Sequence, residues 1–308
     1  MTITQLKYVI CIAETGSMNE AARKLFISQP TLSTSIHDLE DEIGIDIFVR
    51  SNRGISLTPE GEEFIGYARQ VTQQCELIEQ KYITGENQKK HFSVSAQHYA
   101  FAVDAFAKMV KQFGMDEYEF AIYETRTYDV IQDVKNFKSE IGVLYLNDFN
   151  SKVLMKLLDE SSLEFHPIAE CRAYVYLHKT HPLSGNEEIT MEELSDYPCL
   201  SFEQGSNNSF YFAEELMSTY KYKQLIKICD RATGLNLMVG LNGYTICSGL
   251  ICEELNGSDF RAIRLKSDEV MTVGYIIRKN MSLSKLANKY LEELSSFMDE
   301  NNKANISH

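Results

Sequence analysis

The first 58 residues carry two helix-starting signals separated by a short turn, and this spacing constrains the fold more than any other feature. Ser17 and Ser28 each stand where a side-chain oxygen can cap a helix, and Pro30 is tolerated in the first turn of the second helix. Apolar residues recur at helical spacing along both segments: Ala21, Ala22 and Leu25, then Leu32, Ile36, Leu39 and Ile43. The pattern predicts a helix-turn-helix, preceded by a helix over 5–15 and followed by short strands at 47–49 and 55–57.

The outward face of the second of these helices is short, polar and uncharged. Gln can form two hydrogen bonds with adenine, and Thr can offer a methyl group to thymine and a hydroxyl to a base or phosphate. A recognition helix uses its N-terminal residues in this way. The turn between the two strands carries two cations, as expected of a wing that contacts the DNA backbone or minor groove. The candidate DNA-binding residues are therefore Ser28, Gln29, Pro30, Thr31, Ser33, Thr34, Arg50 and Arg53.

The charge balance limits how the chain can meet DNA. The net charge is −14, which argues against binding nucleic acid through overall charge. In the first 58 residues seven acids outnumber five bases, but no acid lies between Lys24 and His37 or between Val49 and Pro59. This separation favours one DNA-facing surface, which a dimer would present twice. A three-helix domain used for protein contacts is the alternative that the pattern alone leaves open.

Residues 59–90 are predicted to be a linker, with a long helix followed by a polar hinge from Gly85 to Lys90. Thr58 can cap this helix, with Pro59 at its first position. Apolar residues then alternate at spacings of four and three, the heptad pattern of a coiled coil: Phe64, Ala68, Val71, Cys75, Ile78 and Tyr82. We expect this seam to pair with a second copy in a homodimer or homotetramer. The alternative is that the helix packs on its own domain.

Strand and helix patterns alternate over residues 91–308, which predicts α/β lobes with mainly parallel sheets. Strands are expected at 92–96, 118–124, 141–146, 172–178, 199–202, 224–229, 244–247 and 270–278. Helices are expected at 99–113, 128–137, 209–220, 235–241 and 283–298. In such sheets ligands bind beyond the carboxyl ends of the strands, so the turns that follow the strands are candidate binding sites.

The N-terminal sequence resembles the signature of LysR-type transcriptional regulators. The match runs through Ala21-Ala22-x-x-Leu25-x-x-Ser28-Gln29-Pro30-Thr31-Leu32-Ser33-x-x-Ile36-x-x-Leu39-Glu40-x-x-Ile43-Gly44-x-x-Ile47-Phe48-x-Arg50, and continues in Gly54-Ile55-x-Leu57-Thr58-x-x-Gly61. Thr34 departs from the family, which often has a long polar or basic residue there. The resemblance implies a winged helix-turn-helix domain (1–58), the linker helix and hinge (59–90), and an α/β effector domain (91–308) with two lobes, like a periplasmic binding protein. Lobe one would comprise 91–165 and 270–308, and lobe two 166–269, with crossings near 164–170 and 264–270.

The resemblance also implies an effector pocket between the lobes. Hydroxyl, amide and free N–H groups in the turns after the strands suit a carboxylate or phosphate, Arg126 suits an anion, and Glu203 suits an ammonium group. The candidate effector-binding residues are Ser95, Gln97, His98, Thr125, Arg126, Thr127, Ser201 and Glu203. The expected effector is an amino acid or another small carboxylate, and the expected macromolecular partners are promoter DNA and RNA polymerase. The segments 14–22 and 97–101 look similar to a branch of the family that governs sulfur amino-acid uptake.

Several function classes are disfavoured by what the sequence lacks. It contains no GxGxxG, GxxxxGK[ST] or GxSxG motif, so we expect neither catalysis nor a cofactor. Seven scattered cysteines without a CxxC pair indicate free thiols and no metal site. No apolar run is long enough to span a bilayer and the first residues do not resemble a signal peptide, which predicts a cytoplasmic protein without membrane contact. A soluble solute-binding module with an N-terminal protein-interaction domain is the alternative function.

Overall fold

A computed structural model of the chain describes residues 1–51, 54–79, 90–113, 117–207 and 209–306, with only the backbone described at residues 50, 51, 54, 70, 73, 77 and 299–306. The chain divides into two compact units, 1–89 and 90–308. Most of the predicted hinge therefore lies outside the described residues. In that described part of the chain, no helix is long and apolar enough to cross a membrane.

The first unit is a helix-turn-helix with a two-stranded wing. Its elements are α1 (Ile3–Thr15), α2 (Met18–Lys24), α3 (Gln29–Ile43), β1 (Phe48–Ser51), β2 (Gly54–Leu57) and α4 (Pro59–Glu79). The predicted starts of α2 and α3 agree with the structure, because the Ser17 hydroxyl accepts from the N–H of Glu20 and the Ser28 hydroxyl accepts from the N–H of Thr31. The strands β1 and β2 are antiparallel, with Phe48 opposite Leu57.

Gly61 explains why the signature needs a residue without a side chain just after the wing. A Cβ atom at this position would lie 2.1 Å from the backbone oxygen of Ile47. The same oxygen accepts a hydrogen bond from the N–H of Thr58. The first turn of α4 is therefore pressed against the residue that leads into β1, and only glycine permits this approach.

Helix α4 has one buried face and one exposed apolar face, and the predicted heptad seam contains residues from both. Ala68 is buried, as are Ile65 and Thr72, and α4 packs against α1, so this face belongs to the core of its own unit. By contrast Tyr67, Val71 and Ile78 are 57%, 43% and 57% exposed. The prediction that Phe64 and Ala68 form the seam is wrong, because both pack inward. Val71 and Ile78 remain available, and Tyr82 lies outside the described residues.

Lobe one of the second unit is a five-stranded sheet flanked by helices. Its strand order is β4-β3-β5-β13-β6, in which β3, β4 and β5 are parallel and β13 is antiparallel to both of its neighbours. The elements are β3 (Lys90–Ala96), α5 (Ala100–Lys111), β4 (Tyr118–Glu124), α6 (Thr127–Lys135), β5 (Ile141–Leu146), α7 (Ser151–Glu160), β6 (Leu163–Arg172), β13 (Val270–Arg278) and α10 (Lys285–Ile306).

Lobe two has a six-stranded sheet in the order β10-β9-β11-β7-β12-β8. Strands β10, β9 and β11 are parallel, and β7 runs antiparallel to β11 and β12. The elements are β7 (Tyr174–His178), β8 (Glu188–Ile189), β9 (Cys199–Phe202), β10 (Leu225–Ile228), α8 (Arg231–Leu241), β11 (Tyr244–Cys247), α9 (Glu253–Asn256) and β12 (Phe260–Leu265). Both sheets are thus mixed rather than mainly parallel.

Two sequence predictions about the lobes are wrong. The first crossing lies at Ala173, not within 164–170, because residues Leu163–Arg172 form an edge strand of lobe one paired with β13. The lobe boundary therefore moves from 165/166 to 172/173. The helix expected over 209–220 is only a short 3₁₀ turn, Phe210–Phe212, because this segment is held by side chains of lobe one instead of by its own backbone ladder.

Candidate DNA interface and interlobe site

The N-terminal half of α3 carries a polar face on the surface of the first unit. Ser28, Pro30, Thr31 and Thr34 are exposed, and Gln29 and Ser33 are half-buried. The hydroxyls of Ser28 and Thr31 lie 2.7 Å apart, so the cap also orients the first outward side chain. On the opposite face Leu32, Ile36 and Leu39 are fully buried. The helix is therefore held by its apolar stripe, and its short polar side chains face outward.

The wing is tied to α3 by a carboxylate. Glu40 Oε1 accepts hydrogen bonds from the N–H groups of Ile47, at 2.8 Å, and Phe48, at 3.1 Å. Glu40 thus fixes the angle at which β1 leaves the helix, a structural role for one acid of this unit. Of the two wing cations, Arg50 lies on β1 with only its backbone described, and Arg53 lies outside the described residues.

A cavity of about 110 Å³ lies between the lobes of the second unit. Lobe one contributes His98 and the start of α5, and lobe two contributes α8, β11 and the ends of β9 and β10. Most of the lining is apolar: Phe202, Ile228, Leu235, Met238, Ile246 and Met271. The hydroxyl of Thr245 also lines the cavity, where it is buried and makes no hydrogen bond within the described residues.

His98 is fixed at the edge of this cavity by Glu214. Oε2 of Glu214 accepts from the backbone N–H of His98 at 3.0 Å and lies 2.8 Å from its Nδ1, and the imidazole stacks on Phe202 with ring centroids 4.0 Å apart. Burial alone would lower the pKa of His98, but the hydrogen bond and the charge of Glu214 outweigh it and raise the pKa. Gln204 donates to Oε1 of Glu214 at 2.8 Å. Both oxygens of this buried carboxylate therefore have partners from the protein.

Glu215 is a second buried carboxylate beside the first. Its oxygens accept from the N–H of Phe202 at 2.7 Å and the hydroxyl of Ser201 at 3.0 Å. Burial, and then the charge of Glu214, raise the pKa of Glu215 to about 7, although those hydrogen bonds and Lys227 act in the opposite direction. Glu215 is therefore a group whose charge changes near neutral pH.

Two arginines bridge the lobes, and each is paired with a glutamate. Arg126 donates to the Glu203 carboxylate at 2.5 Å and to the Glu203 backbone oxygen at 3.2 Å. Nε of Arg231 lies 2.8 Å from the Glu124 carboxylate, and its Nη2 donates to the other carboxylate oxygen at 3.2 Å. The two residues that the sequence suggested as ligand-binding charges, Arg126 and Glu203, thus neutralise each other.

The other predicted effector residues lie near the lobe junction but mostly bind the protein itself. Ser95 contacts Asp133 and Ser139 on the far side of the sheet, away from the cavity. Gln97 donates to Thr127, whose hydroxyl donates to the backbone oxygen of Phe212. The structure also places Thr125 beside Asp129 and Ser201 between Glu215 and Lys227. Of the eight predicted residues, only His98 lines the cavity.

Sequence reasoning missed Glu214, Glu215, Arg231 and Thr245. Arg231 follows β10 and was accessible to the same rule that selected the other strand-end turns. Glu214 and Glu215 lie in the irregular segment where a helix was expected, so no periodic signal marked them as buried. Tyr145 holds this segment by donating to the backbone oxygens of Ala213 and Glu215, a tertiary contact that the sequence does not reveal.

A helix-turn-helix with a wing, joined to a two-lobed α/β unit with an interlobe cavity, defines a DNA-binding regulator with a ligand domain. Two family profiles match the chain: the bacterial regulatory helix-turn-helix protein of the lysR family over residues 3–62, and the LysR substrate binding domain over 101–299. The chain therefore belongs to the LysR family of transcriptional regulators. As in that family, it is a DNA-binding regulator with an effector-binding domain.

Individual relatives agree with this assignment. The chain is 23% identical over 282 residues to the HTH-type regulator YvbU of Bacillus subtilis, covering 86% of this chain and 91% of the relative. It is 27% identical to AlsR of the same organism, covering 82% and 77% of the two chains, and 26% identical to SsuR of Burkholderia cenocepacia, covering 66% and 65%. The solved full-length OxyR C199D from Pseudomonas aeruginosa has a similar fold, with a TM-score of 0.60, 21% identity, and 97% and 94% coverage.

Proposed function

We propose that this regulator reads a promoter with the outward face of α3 and changes its activity when a small molecule binds between the lobes of its effector domain. The observation that supports DNA reading is the polar, uncharged face of Ser28, Gln29, Pro30, Thr31, Ser33 and Thr34, opposite a fully buried stripe. Arg50 and Arg53 of the wing would hold phosphates beside it. Such a protein would work in the cytoplasm, as a regulator and not as an enzyme.

Placing a carboxylate on the recognition face tests this role. Thr34 is exposed on α3, so Thr34→Asp should fold normally and lose affinity for promoter DNA by about tenfold or more, because a new anion would face phosphates and base edges. Thr180→Asp adds the same charge at an exposed site of the other unit and serves as the control. Unchanged promoter affinity in Thr34→Asp would contradict the assigned face.

We propose that the regulator acts as a homodimer or homotetramer through α4. The support is the exposed apolar strip of Tyr67, Val71 and Ile78, with spacings of four and seven residues that return to one helix face. Effector binding would bias the relative placement of the two DNA-binding units and so alter contact with RNA polymerase. This coupling requires that the effector bind one arrangement more tightly than the other.

The identity of the effector is a separate part of the proposal. An amino acid or other small carboxylate was expected from Arg126 and Glu203, and the pairing of these two residues weakens that expectation. The similarity of segments 14–22 and 97–101 to regulators of sulfur amino-acid uptake makes sulfur metabolites a natural first set to screen. In the alternative, a solute-binding module with a protein-interaction domain, ligands would bind while no DNA sequence is preferred.

A further inference from the structure

The protein's own glutamates occupy the places where an anionic ligand would bind between the lobes. Glu214 accepts from both the backbone N–H and the imidazole of His98, just before α5 begins. Arg126 forms an ion pair with Glu203, and Arg231 forms an ion pair with Glu124.

Glu215 completes the set of internal carboxylates. It accepts a hydrogen bond from the N–H of Phe202 at the end of β9, a donor that a ligand carboxylate could otherwise use. His98, Arg126, Arg231 and the N–H of Phe202 therefore each contact a carboxylate of this chain already, and Lys227 donates to the hydroxyl of Ser201. The basic side chains Arg231, Arg126 and His98 are thus each paired within the chain, with Glu124, Glu203 and Glu214 in turn.

The space that remains is apolar and small. The cavity of about 110 Å³ is lined mainly by aliphatic, aromatic and thioether side chains, and the hydroxyl of Thr245 at its wall has no hydrogen-bond partner among the residues that the structure describes. An apolar cavity of about 150 Å³ accommodates benzene, which has six non-hydrogen atoms, so the cavity of about 110 Å³ suits roughly four or five. A buried hydroxyl without a partner costs free energy that a ligand oxygen can recover.

We infer that the effector is a small, uncharged and largely apolar molecule with one hydroxyl or carbonyl oxygen, which binds in the interlobe cavity and hydrogen-bonds to Thr245. This inference rests on the proposed function of the second unit as a ligand sensor. It goes beyond that function by specifying the charge, the size and one contact of the ligand.

Charged ligands of the same shape are disfavoured for two different reasons. A carboxylate at His98 would have to displace Glu214 and leave that buried carboxylate without its partner. A carboxylate at Arg231 would have to share the guanidinium with Glu124, whose negative charge repels it. An ammonium group would lose its water shell beside Glu214 and Glu215, whose oxygens already accept hydrogen bonds from His98, Gln204, Ser201 and the backbone. A neutral molecule neither displaces a carboxylate nor loses the water shell of a charged group.

Three molecules that share one carbon skeleton test the charge preference. We would titrate the full chain with 2-methyl-1-propanol, 2-methylpropanoate and 2-methyl-1-propylamine, and record thermal shifts and NMR chemical-shift changes. The alcohol should bind with a dissociation constant that is roughly millimolar or tighter. At about 20 mM it should raise the unfolding temperature of the effector unit by several degrees, while the acid and the amine leave it unchanged.

Variants of the cavity wall locate the binding. Thr245→Val keeps the shape and removes the hydroxyl, and it should weaken alcohol binding about fivefold. Thr180→Val, at an exposed position of the same lobe, should leave binding unchanged. Glu214→Ala should do the opposite for the acid: with the internal carboxylate removed, 2-methylpropanoate should bind and stabilise the variant. If this variant is poorly folded, its unfolding temperature can be measured with added acetate. A rise would show that an external carboxylate binds where the Glu214 carboxylate was removed.

The outcomes separate this inference from the proposed function. If the acid or the amine binds to the native chain and the alcohol does not, the inference about the charge of the ligand is wrong. The proposal that the second unit senses a ligand would still hold. Equal affinity of Thr245→Val and the native chain for the alcohol would also contradict it, because the hydroxyl contact would be absent. If none of the three molecules binds, the cavity is not a binding site for molecules of this size, and the inference is wrong. The proposed DNA binding would be unaffected, because Thr34→Asp tests it separately.

Discussion

Glu215→Gln should remove a large part of the pH dependence of the effector unit's stability. The native side chain is 7% exposed, it accepts hydrogen bonds from Ser201 and from the N–H of Phe202, and the charges of Glu214 and Lys227 act on it. Burial and the neighbouring Glu214 charge raise its pKa from 4.5 to about 7. A glutamine of the same shape can still accept from the N–H of Phe202, but it does not titrate.

The sign and size of the effect follow from proton linkage. Because the pKa in the folded state lies above that in the unfolded state, the folded protein holds the proton longer, and stability falls as pH rises from about 4.5 through about 7. Between about pH 5 and about pH 8 the native chain should lose roughly 2.5 kcal/mol through this group. For a unit of this size that corresponds to a fall of roughly 5–10 °C in unfolding temperature. His98, whose pKa is also raised, acts in the same direction above pH 6.5.

Differential scanning calorimetry of the full chain can resolve this, with the transition of the effector unit followed at both pH values. We expect the fall on raising the pH to be roughly 5–10 °C smaller in Glu215→Gln than in the native chain. Glu119→Gln, at an exposed position on β4, controls for the loss of one carboxylate. Parallel pH dependence in the native chain and Glu215→Gln would refute the inference that burial raises the pKa of this carboxyl group toward neutrality.

Three further predictions concern the first unit. Phe26 is 95% exposed and has a φ of 55°, a left-handed conformation that asparagine tolerates better than phenylalanine. Phe26→Asn should therefore raise the stability of this unit by about 0.5–1 kcal/mol in urea unfolding, and a loss of stability would contradict this. Gly61→Ala should cost about 2 kcal/mol or more in the same assay, since its Cβ would meet a backbone oxygen, and a neutral effect would refute that close approach. Val71→Asp combined with Ile78→Asp should yield monomers in sedimentation analysis, whereas Glu76→Gln should not; an unchanged mass would exclude this strip.

Elements with a strong local signal were predicted closely from the sequence. The strands Tyr118–Glu124, Ile141–Leu146 and Val270–Arg278 have the predicted bounds because each is a continuous or alternating apolar run flanked by polar residues. Strand β6 was predicted to be a crossing because the resemblance to LysR-type regulators implies one near 164–170, and the Pro167 and several charged residues of this segment give no strand signal against it. Its position at the sheet edge tolerates both, and the register shifts where Gly274 of β13 faces Pro167.

Several residues predicted to lie at the lobe junction do lie there, but their pairings were not predicted. The rule that ligand sites follow strand ends located His98, Arg126 and Glu203 at the junction of the lobes. Whether such charges face a ligand or each other depends on distances between elements 77 residues apart, as with Arg126 and Glu203. The sequence also could not show that Glu214 would reach back to His98 over 116 residues.

The most direct test of DNA-binding regulation is the affinity of the full chain for the DNA upstream of its own coding region, measured across a series of salt concentrations against a scrambled fragment of equal length. We predict preferential binding to the upstream fragment, with a logarithm of affinity that falls linearly with the logarithm of salt concentration as phosphate contacts release counterions. The absence of sequence-selective binding at every salt concentration would contradict regulation through DNA and favour a solute-binding module with a protein-interaction domain.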